Sequence, residues 1–406
     1  MFQVDQTIYS KADIEKRFSF YDELSWLNEY RSSGIAVRLN DTGEWLTFLL
    51  YARKHQLTLL PLHKDESSDR SRLLADKAGC SVLIDGTMEE VHVLNESARE
   101  ERRELYFFSS GTTGEPKRIS RSWEEIETEL TSYQQAFPLS EETHSIIACP
   151  VTHAYGMLCG FLASIDRGAA PVVITKLNPG YVLSTVRQYP RSILYAAPAY
   201  LHAICRLSKE QIPAVMMSGT SLPVKWLKQI KQKSIHTLQQ YGCSEAGCVS
   251  IAEDVTEPGH IGKTLPHIRI TGGTESNPAE MMIHLKDKTI RSGDLGWQDA
   301  NEEWHFTARM DDMINVAGRN VYPSDIEEVL LRHEQVEEAV VFKKVDDWSG
   351  ERVCVCITGT KLEDDVKNYC RPLLSSYQLP KEWHFVDAIP TLPNGKISRR
   401  QLGVML

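Results

Sequence analysis

Tyr106-Phe107-Phe108-Ser109-Ser110-Gly111-Thr112-Thr113-Gly114-Glu115-Pro116-Lys117 is the stretch on which the reading of the chain turns. An apolar, aromatic strand candidate runs into two serines, a glycine, two threonines and a second glycine; a basic pair, Lys117-Arg118, follows. Glycines let a backbone turn sharply and approach a ligand closely. Hydroxyls and main-chain N–H groups supply donors for phosphate oxygens, and a lysine supplies charge. Downstream, Ser122 and Glu125 have the S-x-x-E spacing of a capping box, which predicts a helix from Trp123. Strand, hydroxyl-rich glycine loop, helix is a phosphate-binding layout. It is not a Walker loop, which has four residues between its first glycine and a Gly-Lys pair. Here Gly111 and Gly114 stand three apart, and Glu115-Pro116 separates Gly114 from Lys117. Taken alone, the loop could equally be a surface turn, since turns are built from the same residues.

The 406 residues exceed one ordinary core and imply two or more domains. A hydrophobic fraction of 42% and a charged fraction of 25% are those of a soluble globular enzyme. No apolar run approaches a membrane span, and Met1-Phe2-Gln3-Val4-Asp5-Gln6 lacks the regions of a signal peptide, so a cytoplasmic protein with no membrane partner is expected. The nine cysteines are odd in number and scattered, as suits reduced core residues; Cys354-Val355-Cys356 is weak evidence for metal. A net charge of −10 argues against nucleic acid but not against ATP, which needs only local positive charge. Lys225, Lys228, Lys231 and Lys233 could face an acidic carrier protein, although a solvated helix face explains them as well.

Upstream of the loop, residues 12 to 62 read as helix, strand, helix, strand, and a further helix near Asp69 to Lys77 leads to a strand at Cys80 to Ile84. Such alternation predicts an α/β domain with much parallel pairing. Downstream, the strand from Ser145 ends in Val151-Thr152-His153-Ala154-Tyr155-Gly156, where open α/β sheets bind ligands. His153 could also be an ordinary structural histidine. Strands at Ser192 to Tyr195 and Pro213 to Met217 follow, the latter ending in Ser218-Gly219-Thr220-Ser221. Thr237 to Gln240 runs into Tyr241-Gly242-Cys243-Ser244-Glu245-Ala246-Gly247, which offers an aromatic face for a flat base, a hydroxyl for phosphate and a hard oxygen for Mg²⁺. In Arg291-Ser292-Gly293-Asp294-Leu295-Gly296, one carboxylate can accept from two vicinal hydroxyls, although Gly-Asp is also an ordinary turn. Beyond Arg309-Met310-Asp311-Asp312, Ser324 and Glu327 form another S-x-x-E pair, and strands, a helix and a strand make a compact α+β unit of about a hundred residues. It closes on Pro393-Asn394-Gly395-Lys396, a turn with a lysine beside its tip.

In their order and spacing these motifs resemble the adenylate-forming superfamily of acyl-CoA synthetases, aryl-acid ligases, peptide-synthetase adenylation domains and luciferases. The resemblance spans roughly residues 12 to 401, with the early region and the stretch between Glu245 and Asp294 trimmed. It implies an α/β fold: a large multi-layer N-terminal domain of mainly parallel sheets over 1–310 and a small α+β C-terminal domain over 311–406, joined by a hinge at Asp311. It implies Lys396, Glu245, Thr112, Thr113 and Ser244 as catalytic residues, with Glu245 holding Mg²⁺. It places ATP against Ser109, Ser110, Gly111, Gly114, Lys117, Gly219, Thr220, Tyr241, Gly242, Asp294 and Arg309, with Tyr241 on adenine and the last two on ribose. The acid pocket would be lined by His153, Tyr155, Tyr195, Ala197, Gly219, Cys243 and Cys248, and Gly318 would line the thiol entry. Ser244 stands where the family usually has Thr, and Ala308 replaces a common glycine.

The implied reaction converts a small carboxylic acid to acyl-AMP with loss of pyrophosphate, then passes the acyl group to a phosphopantetheine thiol of a carrier protein or to CoA. A small, mixed-polar pocket favours a compact aromatic acid. Aryl-acid ligases of the salicylate type often carry His-Asn where this chain has His153-Ala154, so a dihydroxybenzoate without a 2-hydroxyl fits, as in siderophore assembly. A CoA ligase on the same fold is the near alternative. A non-catalytic adenylate-binding protein is the distant one, and the presence of Glu245 and Lys396 weighs against it.

Overall fold

The computed structural model describes residues 1–95, 102–109, 117–219, 222–346, 348–360, 363–390 and 397–406. Among them the strands form three sheets. A six-stranded sheet runs Val91–Val93, Val82–Gly86, Gly34–Leu39, Thr58–Pro61, Glu104–Ser109, Lys117–Ser122 across its width, parallel in the middle and antiparallel at both edges. The second sheet has 13 strands. Its parallel part holds Ser234–Cys243, Ile212–Met217, Ser192–Ala196, His144–Ala148, Val172–Val173 and Phe2–Val4 in that spatial order, and beyond Ser234–Cys243 it continues antiparallel to Arg269–Thr271.

In their parallel parts both sheets are apolar on both faces, where helices cover them, and the central strands there read as continuous apolar runs. The helices Thr42–His55 and Trp123–Ala136 and the π-helical turns Tyr155–Leu162 lie in one core with the facing sides of the two sheets, including Ile35, Leu105, Phe107, Ile147, Tyr195 and Met216. Helix Ser68–Ala78 covers the outer face of the smaller sheet, and Pro179–Gln188, Pro198–Leu207 and Val224–Lys233 cover that of the larger. The large domain is thus layered helix, sheet, helix, sheet, helix. The aromatic run feeds both sides of its strand: Leu105 and Phe107 enter the central core, and Tyr106 and Phe108 face the outer helix.

The glycine loop does not lead straight into a helix. Glu104–Ser109 pairs antiparallel with Lys117–Ser122, Ser109 opposite Lys117, so the loop spans the tip of a hairpin. The helix does begin at Trp123, and its capping box is formed: Ser122 accepts from the Glu125 N–H, and Glu125 accepts from the Ser122 N–H.

The last strand of the large sheet, Trp304–Arg309, is followed by the first of the small one, Ile314–Val316. The smaller C-terminal domain has a five-stranded sheet centred on the hairpin Val336–Asp346 and Gly350–Gly359, with helix Pro323–Leu331 on one face and Arg399–Met405 on the other. Cys354 and Cys356 are buried in its core, as core thiols rather than ligands. The expected capping box at Ser324 and Glu327 does not form. Pro323 occupies the first turn, Tyr322 is the N-cap, and no side chain caps the helix. A proline's fixed φ sets that start two residues earlier, with Tyr322 in place of Ser324 as N-cap, and Glu327 is drawn off to accept from the Val341 N–H at 2.7 Å and from Arg399 at 2.8 and 3.0 Å.

Candidate active site

Three adjacent parallel strands end level with one another, and the fourth, Ser234–Cys243, runs on past them. Ala148 pairs with Ala196, Ala196 with Met217, and Met217 with Gln239. The first three run out into segments that the sequence marks, His153 to Tyr155, Ala197 and Gly219, and the far end of the fourth carries Tyr241 to Cys243. The carboxyl ends of parallel strands gather loops on one edge, and register alone brings these four together.

His153, Ala197 and Gly219 are exposed on this edge. The His153 segment is held from beneath: the buried Trp45 indole donates to the Val151 carbonyl at 3.1 Å. Tyr155 opens the π-helical turns, and its hydroxyl donates to the Met216 carbonyl at 2.6 Å, so the ring is fixed against the neighbouring strands. Tyr195 lies beneath, fully buried, its ring centroid 5.8 Å from that of Tyr155. Its hydroxyl meets that of Tyr133 at 3.1 Å, and Tyr133 donates to Gln240 Oε1 at 3.3 Å. Burial pushes all three phenols well above their ordinary range, so they act as neutral hydroxyls. Cys248 is likewise buried, and Cys243 is partly exposed with its thiol pushed up to about 12 by burial. Neither is a thiolate nucleophile. The exposed residues of this edge are mixed in polarity, and Tyr195 and Cys248 are buried below them.

Tyr241, Asp294 and Arg309, which the resemblance assigns to nucleotide, converge. The Tyr241 hydroxyl donates to Asp294 Oδ2 at 2.6 Å, and Arg309 Nε lies 3.1 Å from Asp294 Oδ1. Asp294 and Arg309 face each other across paired strands. Asp294 is 5% exposed, and burial raises its carboxyl above the ordinary 3.8, with Arg309 and the Tyr241 hydroxyl pulling the other way. Gly219 sits at φ +100 with no atom within 4 Å of where a Cβ would stand, leaving room against the turn. Ser244 and Glu245 occupy the turn between Ser234–Cys243 and Gly247–Ala252, both partly exposed. Among the described residues the Glu245 carboxylate has no hydrogen bond or ion pair, and no cluster of three or more metal-ligating side chains occurs. One uncommitted carboxylate suits Mg²⁺, which keeps waters and shares phosphate oxygens rather than entering an all-protein cage.

Lys117 is exposed at the start of its strand, Gly242 is exposed beside Tyr241, and Asp311 is exposed between the two sheets. Gly318, at φ +82, turns the small hairpin Ile314–Val316 and Arg319–Val321 and is open to solvent. Ser110, Gly111, Thr112, Thr113, Gly114, Thr220, Lys396 and the side chain of Ser109 lie outside the described residues.

Two buried groups at the site escaped the sequence reading. Arg121 and Glu129 form an ion pair at 2.7 Å, their side chains 3% and 1% exposed. Arg121 shares the inward phase of its strand with Ile119, and Glu129 sits beside Ile126 and Leu130 on the inner face of its helix. A charge at each of two apolar phases was the available signal. Arg399, three residues past Lys396, bonds Glu327 and lies 3.2 Å from Asp312.

The profile of the AMP-binding enzyme family matches residues 28–275, and that of the AMP-binding enzyme C-terminal domain matches 325–396. A 3,4-dihydroxybenzoate–[aryl-carrier protein] ligase of Bacillus anthracis is 35% identical over 408 residues, covering 99% of this chain and 98% of that protein. A 2-succinylbenzoate–CoA ligase of Bacillus licheniformis is 26% identical, over 73% of this chain and 68% of its own. In fold, the chain is similar to the o-succinylbenzoate coenzyme A synthetase of Bacillus subtilis solved with ATP and magnesium ion, with a TM-score of 0.82, 20% identity, and coverage of 99% of this chain and 96% of that one.

Proposed function

Since the chain belongs to the AMP-binding enzyme family, whose members form adenylates, we propose that it activates 3,4-dihydroxybenzoate with ATP and passes the aroyl group to the phosphopantetheine thiol of an aryl carrier protein, as a cytoplasmic enzyme of siderophore assembly. One observation carries the choice of acid and acceptor: the 35% identity that runs the full length of both chains to a ligase of that description. Ala154 supports it, because no amide stands there to meet a 2-hydroxyl.

A carboxylate is a poor electrophile towards a thiol. In the first step a carboxylate oxygen attacks the α-phosphorus of ATP, the bond to the β-phosphate bridging oxygen breaks, and pyrophosphate leaves with the electron pair. Two anions approach, so positioning and charge stabilisation do most of the work. Asp294 accepts from the ribose hydroxyls, and Arg309 beside it keeps the carboxylate charged. The Tyr241 ring, its hydroxyl committed to Asp294, is set as a face for adenine. Ser244, Thr112 and Thr113 donate to phosphoryl oxygens, Lys117 steadies the leaving pyrophosphate, and Lys396 meets the charge that builds at the reacting phosphate. Mg²⁺, held by Glu245, supplies further charge compensation when bound. In the second step the thiol sulfur attacks the acyl carbon, the bond to AMP breaks with its electrons leaving on AMP, and the thiol proton passes to solvent. The Gly318 turn lines the thiol's approach.

The test is acid-dependent ATP–pyrophosphate exchange across hydroxybenzoates, fatty acids and amino acids, followed by transfer to carrier protein or CoA. Exchange led by 3,4-dihydroxybenzoate and loading of a carrier are expected. Exchange led by an amino or fatty acid would remove the aryl reading, and transfer to CoA alone would replace the carrier with CoA.

A further inference from the structure

We propose that the buried ion pair Arg121–Glu129 is a positioning device that locks the Ser244–Glu245 turn to the hairpin bearing the glycine loop, and so sets the two halves of the ATP site against each other. It rests on the ATP-dependent reading above.

The pair joins three elements. Arg121 lies on Lys117–Ser122, the strand that leaves the glycine loop, and Glu129 lies on the helix that follows. Glu129 Oε1 accepts the Cys248 N–H at 2.7 Å. Cys248 opens the strand that leaves the Ser244–Glu245 turn and pairs with Gly242 at the turn's other side. One carboxylate therefore receives both a cation from the loop hairpin and a backbone donor from the turn.

Gly247 shows how close the approach is. It adopts φ +78, and a Cβ there would stand 2.2 Å from Glu129 Oε2 and 2.5 Å from Arg121 Nη1. The backbone next to the turn is pressed onto the pair, and only glycine fits. Burying two charges is costly, and a well-packed apolar pair at the same place is often as stable or more so. Stability alone is therefore a weak reason for an ion pair here. A directional acceptor for Cys248, itself held by a cation from the neighbouring hairpin, is a stronger one.

That distinction fixes the test. Removing one partner would leave a bare buried charge and could unfold the chain, so both partners are changed together. Arg121→Met with Glu129→Gln removes the charges but keeps a carbonyl for the Cys248 N–H. Arg121→Met with Glu129→Leu removes that acceptor too. For each double variant of the full chain, melting temperature, exchange kinetics for MgATP and for the acid, and MgATP binding by calorimetry are measured. The leucine pair is expected to lose about a hundredfold in kcat/KM for MgATP, with the acid KM close to that of the unaltered chain and melting retained. The glutamine pair is expected to recover most of that loss. Equal behaviour of the two pairs, or a change confined to the acid KM, would overturn the proposal. If the unaltered chain exchanges with no acid at all, the reading of the activity fails, while calorimetry still decides the pair: weakened MgATP binding in the leucine variant alone supports it, and equal binding sinks it.

Discussion

Asp294 is a carboxylate kept where burial works against its charge. It is 5% exposed, one oxygen taken by the Tyr241 hydroxyl and the other beside Arg309. An asparagine of the same shape loses the charge that makes two ribose bonds strong, at about 2 kcal/mol for a charged hydrogen-bonding group, roughly thirtyfold in affinity. Calorimetry of AMP with Asp294→Asn checks this, and an unchanged affinity would remove ribose from Asp294. The pH dependence has a definite sign. Burial raises the carboxyl above 3.8, and the proposed ribose contacts need the ionised form. Acidification should therefore weaken AMP binding at a pH above that expected of an ordinary aspartate, and raising the pH should restore it. Gly247→Ala is the other single-residue expectation. It pairs a left-handed backbone with a clash onto a buried carboxylate, and a loss of about 1–3 kcal/mol should appear in denaturant unfolding. Asp294 was legible as part of a Gly-Asp motif. Its bond to Tyr241 was not, because 53 residues separate them and only the sheet brings them together.

At the scale of the element, two four-residue signals of the same spelling came to different ends. Ser122 and Glu125 cap their helix in both directions, whereas Ser324 and Glu327 do not cap theirs. Ser122→Ala should cost about 1 kcal/mol in chemical denaturation. Ser324→Ala should cost clearly less, and equal losses would mean that the spelling, not the geometry, decides. Capping boxes are read from local sequence, but whether the carboxylate stays depends on distant competitors, here the Val341 N–H and Arg399. The strand Lys117–Ser122 was missed for a related reason. It is short and mostly polar, and the inward position that would have completed its alternation is Arg121, whose partner lies on the next helix. The helix from Trp123 was legible from its capping box, because that signal lies within four residues.

At the scale of the molecule, the alternation of strands and helices sufficed for the α/β class and for a smaller α+β unit at the end. The order of the strands did not follow from it. Phe2–Val4 pairs with Val172–Val173, and nothing within either triplet or pair announces the other. Nor could the sequence show that three strands stop level while their neighbour Ser234–Cys243 runs on past them, which is what gathers the mouth of the site. The division of labour between the domains is open to test: Lys396→Ala should abolish exchange yet spare thioester formation from supplied acyl-AMP, and equal loss of both half-reactions would refute it.

Arg399 adds a mechanical corollary. The Met310 N–H is fastened to the Gly293 carbonyl of the large sheet at 2.8 Å, and Arg399 holds the Asp312 side chain to the final helix at 3.2 Å. Between those two fastenings lies Asp311, spanned by the Asp312 and Met313 N–H groups, which both donate to the Arg309 carbonyl at 3.2 Å. A swivel proposed there, with so short an axle, would have few settings: its travel would be confined to the backbone torsions of about one residue, which fall into discrete wells. If the C-terminal domain turns at Asp311, as we propose, such a joint would click between positions instead of drifting, and the Arg399 tether, by keeping the axle short, would make it an indexed joint.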